Sequence, residues 1–225
     1  MKKLLLILLC VPLIFVYVYN TKENEKKLKI GDYYQGGIIF HIDKSGEHGL
    51  IVSAKDQGQF EWGCCFSTDD AHLSTLYKDS VKLLDKDIRA KMSGANGLAI
   101  GDGLQNTIDI INANCQVGNR ENGKSDGLTA AKVCYDLILE GYDDWYLPSK
   151  AELNLIIENI GARNRKGYVE YSGIGDFTEG IYWTSSQSNT CGAWTQNFNK
   201  YPTNFRVQDT KTKYTKLFVR AIRSF

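Results

Sequence analysis

The chain has 225 residues, of which 43% are hydrophobic and 24% charged, with 3 prolines and a net charge of +1. That balance belongs to a folded globular protein and excludes a disordered or collagen-like chain. The length suits one domain of about 200 residues with a sizeable core.

"MKKLLLILLCVPLIFVYVYN" places two lysines ahead of an apolar run over residues 4–19, the layout of an export signal. The rest of the chain is therefore expected outside the cytoplasm: secreted, periplasmic or at the cell surface. At about 1.5 Å per residue the run spans roughly 24 Å, short of a ~30 Å hydrocarbon core. No small-x-small cleavage motif follows it. Residues 1–20 thus read as a cleaved signal peptide, with an uncleaved membrane anchor as the alternative. Cys10 follows Leu9, which is not small, so a lipoprotein is not expected. Residues 21–30, "TKENEKKLKI", are a charged tether, and residues 31–225 are the domain.

With Cys10 set aside, Cys64, Cys65, Cys115, Cys134 and Cys191 remain, an odd number in a disulfide-permissive compartment, so at least one thiol is unpaired within the chain. No C-x-x-C or H-E-x-x-H occurs, so no metal site and no cofactor are expected.

"GGIIFHID" and "HGLIVSAK" flank "KSGE" and predict an opening β-hairpin. Val81, Leu84 and Ile88 fall at helical spacing, as do Leu104, Ile108, Ile111 and Cys115. Ala130, Ala131, Cys134, Leu137 and Ile138 make a third stripe, closed by Gly141 in the place a helix C-cap prefers. Cys115 and Cys134 then lie on core-facing stripes of consecutive helices, which makes them a candidate disulfide, with two buried thiols as the alternative. Between those helices "NANCQVGNRENGKSDG" reads as an irregular turn, since it lacks the acidic spacing of a calcium loop.

In "DDWYLPSKAELNLI", Ser149 and Glu152 form an S-x-x-E capping box. Leu153, Ile156, Ile157 and Ile160 continue the stripe, with Gly161 as the stop. Beyond it, "IYWTSSQS", "GAWTQNFN", "NFRVQDT" and "KLFVRAIRSF" predict strands. The architecture expected is α+β, an antiparallel sheet built from both chain ends with helices from the middle third.

Taken in order, "GGIIFHID", "HGLIV", "GLAIGDGLQNT", "CYDLILEGYDDWYLPSKAELNLI", "YWTSSQ", "AWTQNF" and "VRAIRSF" resemble the bacterial family typified by the C-terminal domain of the Legionella collagen-like adhesin. The resemblance runs from about Gly36 to Phe225. More weakly, "DWYLPSKAEL" and "VRAIRSF" are similar to segments of formylglycine-generating enzymes and of C-type lectin-like folds. The resemblance implies a C-type lectin-like fold and an adhesin-like, non-enzymatic domain that binds a sulfated glycosaminoglycan. A homo-oligomer is implied by the resemblance alone. The Glu-Pro-Asn, Gln-Pro-Asp and Trp-Asn-Asp motifs of calcium-dependent lectins do not occur, so calcium is not expected to mediate binding.

Residues 161–225 carry 10 Lys and Arg against 4 Asp and Glu, whereas residues 21–160 carry 15 against 22. The resulting +6 and −7 point to an anionic polysaccharide or other polyanion as partner of the C-terminal part. No nucleic-acid partner is expected, and the membrane enters only through the N-terminal segment. Candidate ligand-binding residues are Arg163, Arg165, Lys166, Lys200, Arg206, Lys211, Lys213 and Lys216, which would meet sulfates, with Trp194 and Tyr201 as stacking platforms. No catalytic residue is expected. Asp143 and Asp144 are adjacent and, in an extended segment, would point apart. Arg220 and Arg223 are expected to be their internal partners. A structural or protein-binding surface module is the alternative reading, and a glycan- or cell-wall-acting enzyme a weaker one.

Overall fold

A computed structural model describes residues 27–63, 93–114, 127–160, 162–163, 169–170, 174–199 and 208–225. The leader and most of the tether, the Val81–Leu84–Ile88 stripe, Cys115 and Gly161 lie outside the described residues. No helix among those described is long and apolar enough to cross a membrane.

The fold is α+β, with two main sheets. The first has the order β1 (Tyr33–Tyr34), β2 (Gly37–Ile42), β3 (Gly49–Ser53) and, from the far end of the chain, β11 (Ile222–Ser224), all antiparallel. The expected hairpin is β2–β3. At its tip Asp43 Oδ1 accepts from the Ser45 and Gly46 amides at 2.9 and 3.1 Å, an Asx turn with Gly46 at φ 80°. Strand β3 is buried throughout. Ile51 joins one core cluster while Leu50 and Val52 join the other, so both faces of this sheet are covered. That explains why "GLIVS" has no polar alternation.

The second sheet runs β4 (Gly58–Phe60), β10 (Leu217–Val219), β7 (Ile181–Gln187), β8 (Gly192–Asn197), β9 (Gln208–Thr212). β10 and β7 are parallel, so this sheet is mixed and not wholly antiparallel as expected. The closing run also departs from expectation. "KLFVRAIRSF" is two strands, β10 in the second sheet and β11 in the first, and the buried Arg220–Ala221 step carries the chain between them. The break falls where Arg220 turns to an ion pair with Asp56. A two-residue pair, β5 (Ala162–Arg163) with β6 (Val169–Glu170), stands apart.

Three helices are described: α1 (Gly103–Asn112), α2 (Ala130–Tyr135) and α3 (Lys150–Asn159). Helix α3 fulfils the sequence expectation. Ser149 Oγ accepts from the Glu152 amide, the Glu152 carboxylate takes the Ser149 amide at 2.7 Å, and Leu153, Ile156, Ile157 and Ile160 are buried. In α1 the helix is present but its face is rotated from the apolar stripe. Gly103, Asn106, Thr107 and Ile110 are buried while Leu104 is exposed. Long-range hydrogen bonds cause this: Thr107 Oγ1 takes the Leu147 amide at 3.0 Å, and Asn106 Oδ1 takes the Gly97 amide at 3.0 Å. Gly103 is required for close approach, because a Cβ there would lie 2.2 Å from Glu152 Oε2. Helix α2 ends at Tyr135, earlier than the stripe suggests, and Ile138 is exposed.

One core cluster gathers Trp62, Trp145, Trp183, Ala130, Ala131 and Cys134; the other packs α3 against Phe40, Tyr146, Tyr182, Phe198 and Ile222. Cys134 is free and buried, so it takes no part in the candidate Cys115–Cys134 bridge and fits the buried-thiol alternative. It is a packed thiol whose pKa burial pushes up. Cys191 is the described cysteine that is disulfide-bonded.

Candidate functional site

The segment that sets α3 also fixes the acidic pair before it. Trp145 and Leu147 are fully buried, and the Tyr146 backbone exchanges hydrogen bonds with Ile222 at 2.8 and 2.9 Å. Arg223, on β11, forks onto both oxygens of Asp144, donates to Gln35 Oε1 at 2.6 Å, and stacks 4.0 Å from the Tyr142 ring centroid. Asp143 is exposed. The expected Arg223–Asp144 pairing is thus present, whereas Arg220 pairs with Asp56 and not with Asp143. Asp144 is thus taken up by Arg223. Glu152 is buried, and desolvation raises its pKa against the opposing pull of the Ser149 and Gly101 amides.

The basic candidates on the C-terminal strands separate in space. Lys213 is 1% exposed, which corrects its expected place on a ligand-facing surface. Its Nζ donates to Gln187 Oε1 and the Thr190 carbonyl, both at 3.1 Å, and lies 4.4 Å from the Trp62 ring centroid. Burial lowers its pKa from 10.5 to about 8, and it has no carboxylate partner among the described residues. The Trp62 ring faces the ammonium while two neutral oxygens accept its hydrogen bonds. Lys211 is half-exposed and 3.6 Å from Asp209, a surface pair worth at most about 1 kcal/mol. Lys216 is exposed between β9 and β10, without an ion pair among the described residues. Arg163 lies in β5; Arg165, Lys166, Lys200, Tyr201 and Arg206 lie outside the described residues.

Strand register divides these groups further. Across β8 and β9, Trp194 pairs with Thr210 and Ala193 with Lys211. Successive residues of a strand face opposite ways, so Trp194 and Lys211 belong to opposite faces. They cannot form one subsite. Trp183, by contrast, is fully buried and donates from Nε1 to the Phe60 carbonyl at 3.0 Å.

Instead, Trp194 meets Lys150. The Lys150 ammonium sits 3.3 Å from the Trp194 ring centroid, and both residues are half-exposed. Lys150 occupies the first position of α3, where the helix dipole disfavours a cation by about 0.3–1 kcal/mol. Its backbone is held from two strands: the amide donates to Ser186 Oγ at 3.0 Å and the carbonyl accepts from Gln208 Nε2 at 2.9 Å. The sequence contained a signal for this residue, a lysine where a helix start favours acid. The distance to Trp194 carried none.

Among the described residues no group of three or more His, Cys, Asp or Glu could hold a metal. No protein-family model matches the chain, and no curated protein matches it significantly. The resemblance to the adhesin family therefore rests on the quoted residue blocks alone.

Proposed function

We propose that residues 31–225 form a C-type lectin-like, non-enzymatic binding domain that works outside the cytoplasm on an anionic glycan such as a sulfated glycosaminoglycan. The observation that carries the reading is the placement of charge. Asp56, Asp144 and Glu152 are spent on the scaffold, whereas the ammonium groups of exposed Lys216 and of partly exposed Lys150, which rests on the Trp194 ring, have no carboxylate partner among the described residues. Such groups meet sulfate through charge-assisted hydrogen bonds. The lectin-like architecture is supported by the pairing of β11 with the opening hairpin, which joins the chain ends in one sheet, and by the helices supplied from the middle. The leader-like N-terminus supports action outside the cytoplasm.

A second reading, a protein-binding surface module, is favoured by Leu98, Ile100 and Leu104, which stay 43–48% exposed. Their segment is bonded to the start of α3: the Ala151 amide donates to the Leu98 carbonyl and the Ser149 hydroxyl to the Ala99 carbonyl.

A glycan array probed with the exported portion, with and without EDTA, tests the two. The expected result is retention on sulfated or uronate-bearing glycans, unchanged by EDTA. Retention on neutral glycans, or loss of signal with EDTA, contradicts the reading; an array without signal favours the protein-binding module.

A further inference from the structure

Cation–aromatic contacts recur through the described residues, but those of Lys213, Arg220 and Arg223 involve buried cations. The contact of Lys150 with Trp194 is at half-exposed residues. Both partners have fixed backbones. Trp194 is in register with Thr210, and its carbonyl accepts from Thr184 Oγ1 at 2.9 Å. Lys150 is tied to Ser186 on β7 and Gln208 on β9.

The surroundings leave the ammonium without an anion. The first amides of α3 are all consumed, by Ser186 Oγ, the Leu98 carbonyl and Ser149 Oγ. The nearest helix carboxylate, Glu152, is turned inward to the Ser149 and Gly101 amides. Lys150 therefore rests on an indole face, a weaker partner for an ammonium than a sulfate or carboxylate. Its position at the positive end of the helix increases the attraction for an incoming anion.

We propose that Lys150 and Trp194 form a subsite for one anionic sugar residue. The ammonium leaves the ring to meet the sulfate or carboxylate, and the apolar face of the same sugar takes its place on the indole. This rests on the glycan-binding reading above and moves its centre from the basic C-terminal strands to the start of α3. A single cation beside a single aromatic face suits a ring that carries both an anionic group and an apolar face. A bare polyanion would use the lysine and ignore the tryptophan.

Calorimetric titration of the full chain with heparin, and separately with polyphosphate, tests the subsite. Lys150→Gln and Trp194→Ala are each expected to weaken heparin binding about tenfold, the loss of one charge-assisted or stacking contact. Lys150→Arg should retain most of the affinity, and Lys44→Gln, at the exposed tip of the β2–β3 hairpin, should alter it less than about threefold. Lys150→Gln leaves the packing of α3 intact and keeps the test valid should Trp194→Ala fail to fold. Unchanged heparin affinity in Lys150→Gln overturns the subsite while leaving glycan binding in place. Equal binding of polyphosphate and heparin that does not depend on Trp194 also overturns it. No heparin binding by the unaltered chain instead overturns the function on which it rests.

Discussion

Arg220→Met is expected to lower the unfolding free energy by about 3–5 kcal/mol, the cost of breaking a buried ion pair by removing one partner. Arg220 is 1% exposed. Its Nε donates to Asp56 Oδ1 at 2.7 Å, one terminal nitrogen to the Ser53 and Gly175 carbonyls at 2.8 Å each, and the other to the Asp176 carbonyl at 3.0 Å. The guanidinium also stacks 4.0 Å from the Phe177 centroid. Asp56 in turn accepts from Thr178 Oγ1 at 2.7 Å and Tyr182 Oη at 2.9 Å. Methionine fills much of the volume but leaves three carbonyls without a donor and a carboxylate without its charge partner. The Arg220–Ala221 step is also where the chain crosses from β10, inside the second sheet, to β11, at the edge of the first, so both sheets loosen together. Urea unfolding followed by tryptophan fluorescence measures the loss. Arg220→Lys should recover only part of it, because an ammonium lacks the planar fork that reaches these acceptors. A loss below about 1 kcal/mol for Arg220→Met would contradict the account of this network.

The second large effect is on pH dependence. Lys213 has a folded pKa of about 8 against 10.5 for the free side chain, and burial is the cause. Between these values the unfolded chain binds the proton more tightly than the folded one, so stability rises with pH. The full gain is about 3 kcal/mol. Below pH 8 both states are protonated, and the cost of the buried ammonium is carried in full. Tyr146 and Tyr182 act in the other direction at higher pH. Burial raises both of their pKa values, so the stability they contribute is present below pH 10 and lost above it. The expected profile climbs from pH 7.5 to a maximum between about 9 and 10, then falls. In Lys213→Met the climb should vanish while the fall remains. A wild-type profile flat between pH 7.5 and 9.5 would contradict a buried ammonium without a carboxylate partner.

The parts of the fold legible in the sequence are those set by local spacing. The capping box of α3 needs only Ser149, Glu152 and the apolar repeat after them, and it forms as expected. Strands β2, β3, β7 and β8 lie within β-branched and aromatic runs bounded by turn residues. The misread elements depend on distant partners. The buried face of α1 is set by Asn106 and Thr107, whose acceptors and donors are on Gly97 and Leu147. The split of the closing run is set by Asp56, 164 residues from Arg220. Neither dependence leaves a periodic trace.

The candidate site divides along the same line. Trp194 was identifiable as an aromatic in a surface-capable strand. The lysines of "KTKYTK" were identifiable only as charges. Alternation would put Lys211 and Lys213 on one side, but Lys213 lies just past the end of β9, where it packs against Trp62 and is buried, while Lys211 is half-exposed. Lys150 was hidden by its own neighbourhood, because the capping box explained the segment without it. Its cation at a helix start was the unexplained residue in an otherwise explained motif.

The proposed binding of an anionic glycan through ammonium groups is tested most directly by titrating the full chain with heparin and with chemically desulfated heparin at several salt concentrations. Saturable binding of heparin that weakens steadily as salt rises, with little or no binding of the desulfated polymer, is the result expected from ammonium–sulfate contacts. No binding of heparin even at low ionic strength, or equal binding of both polymers independent of salt, would contradict it.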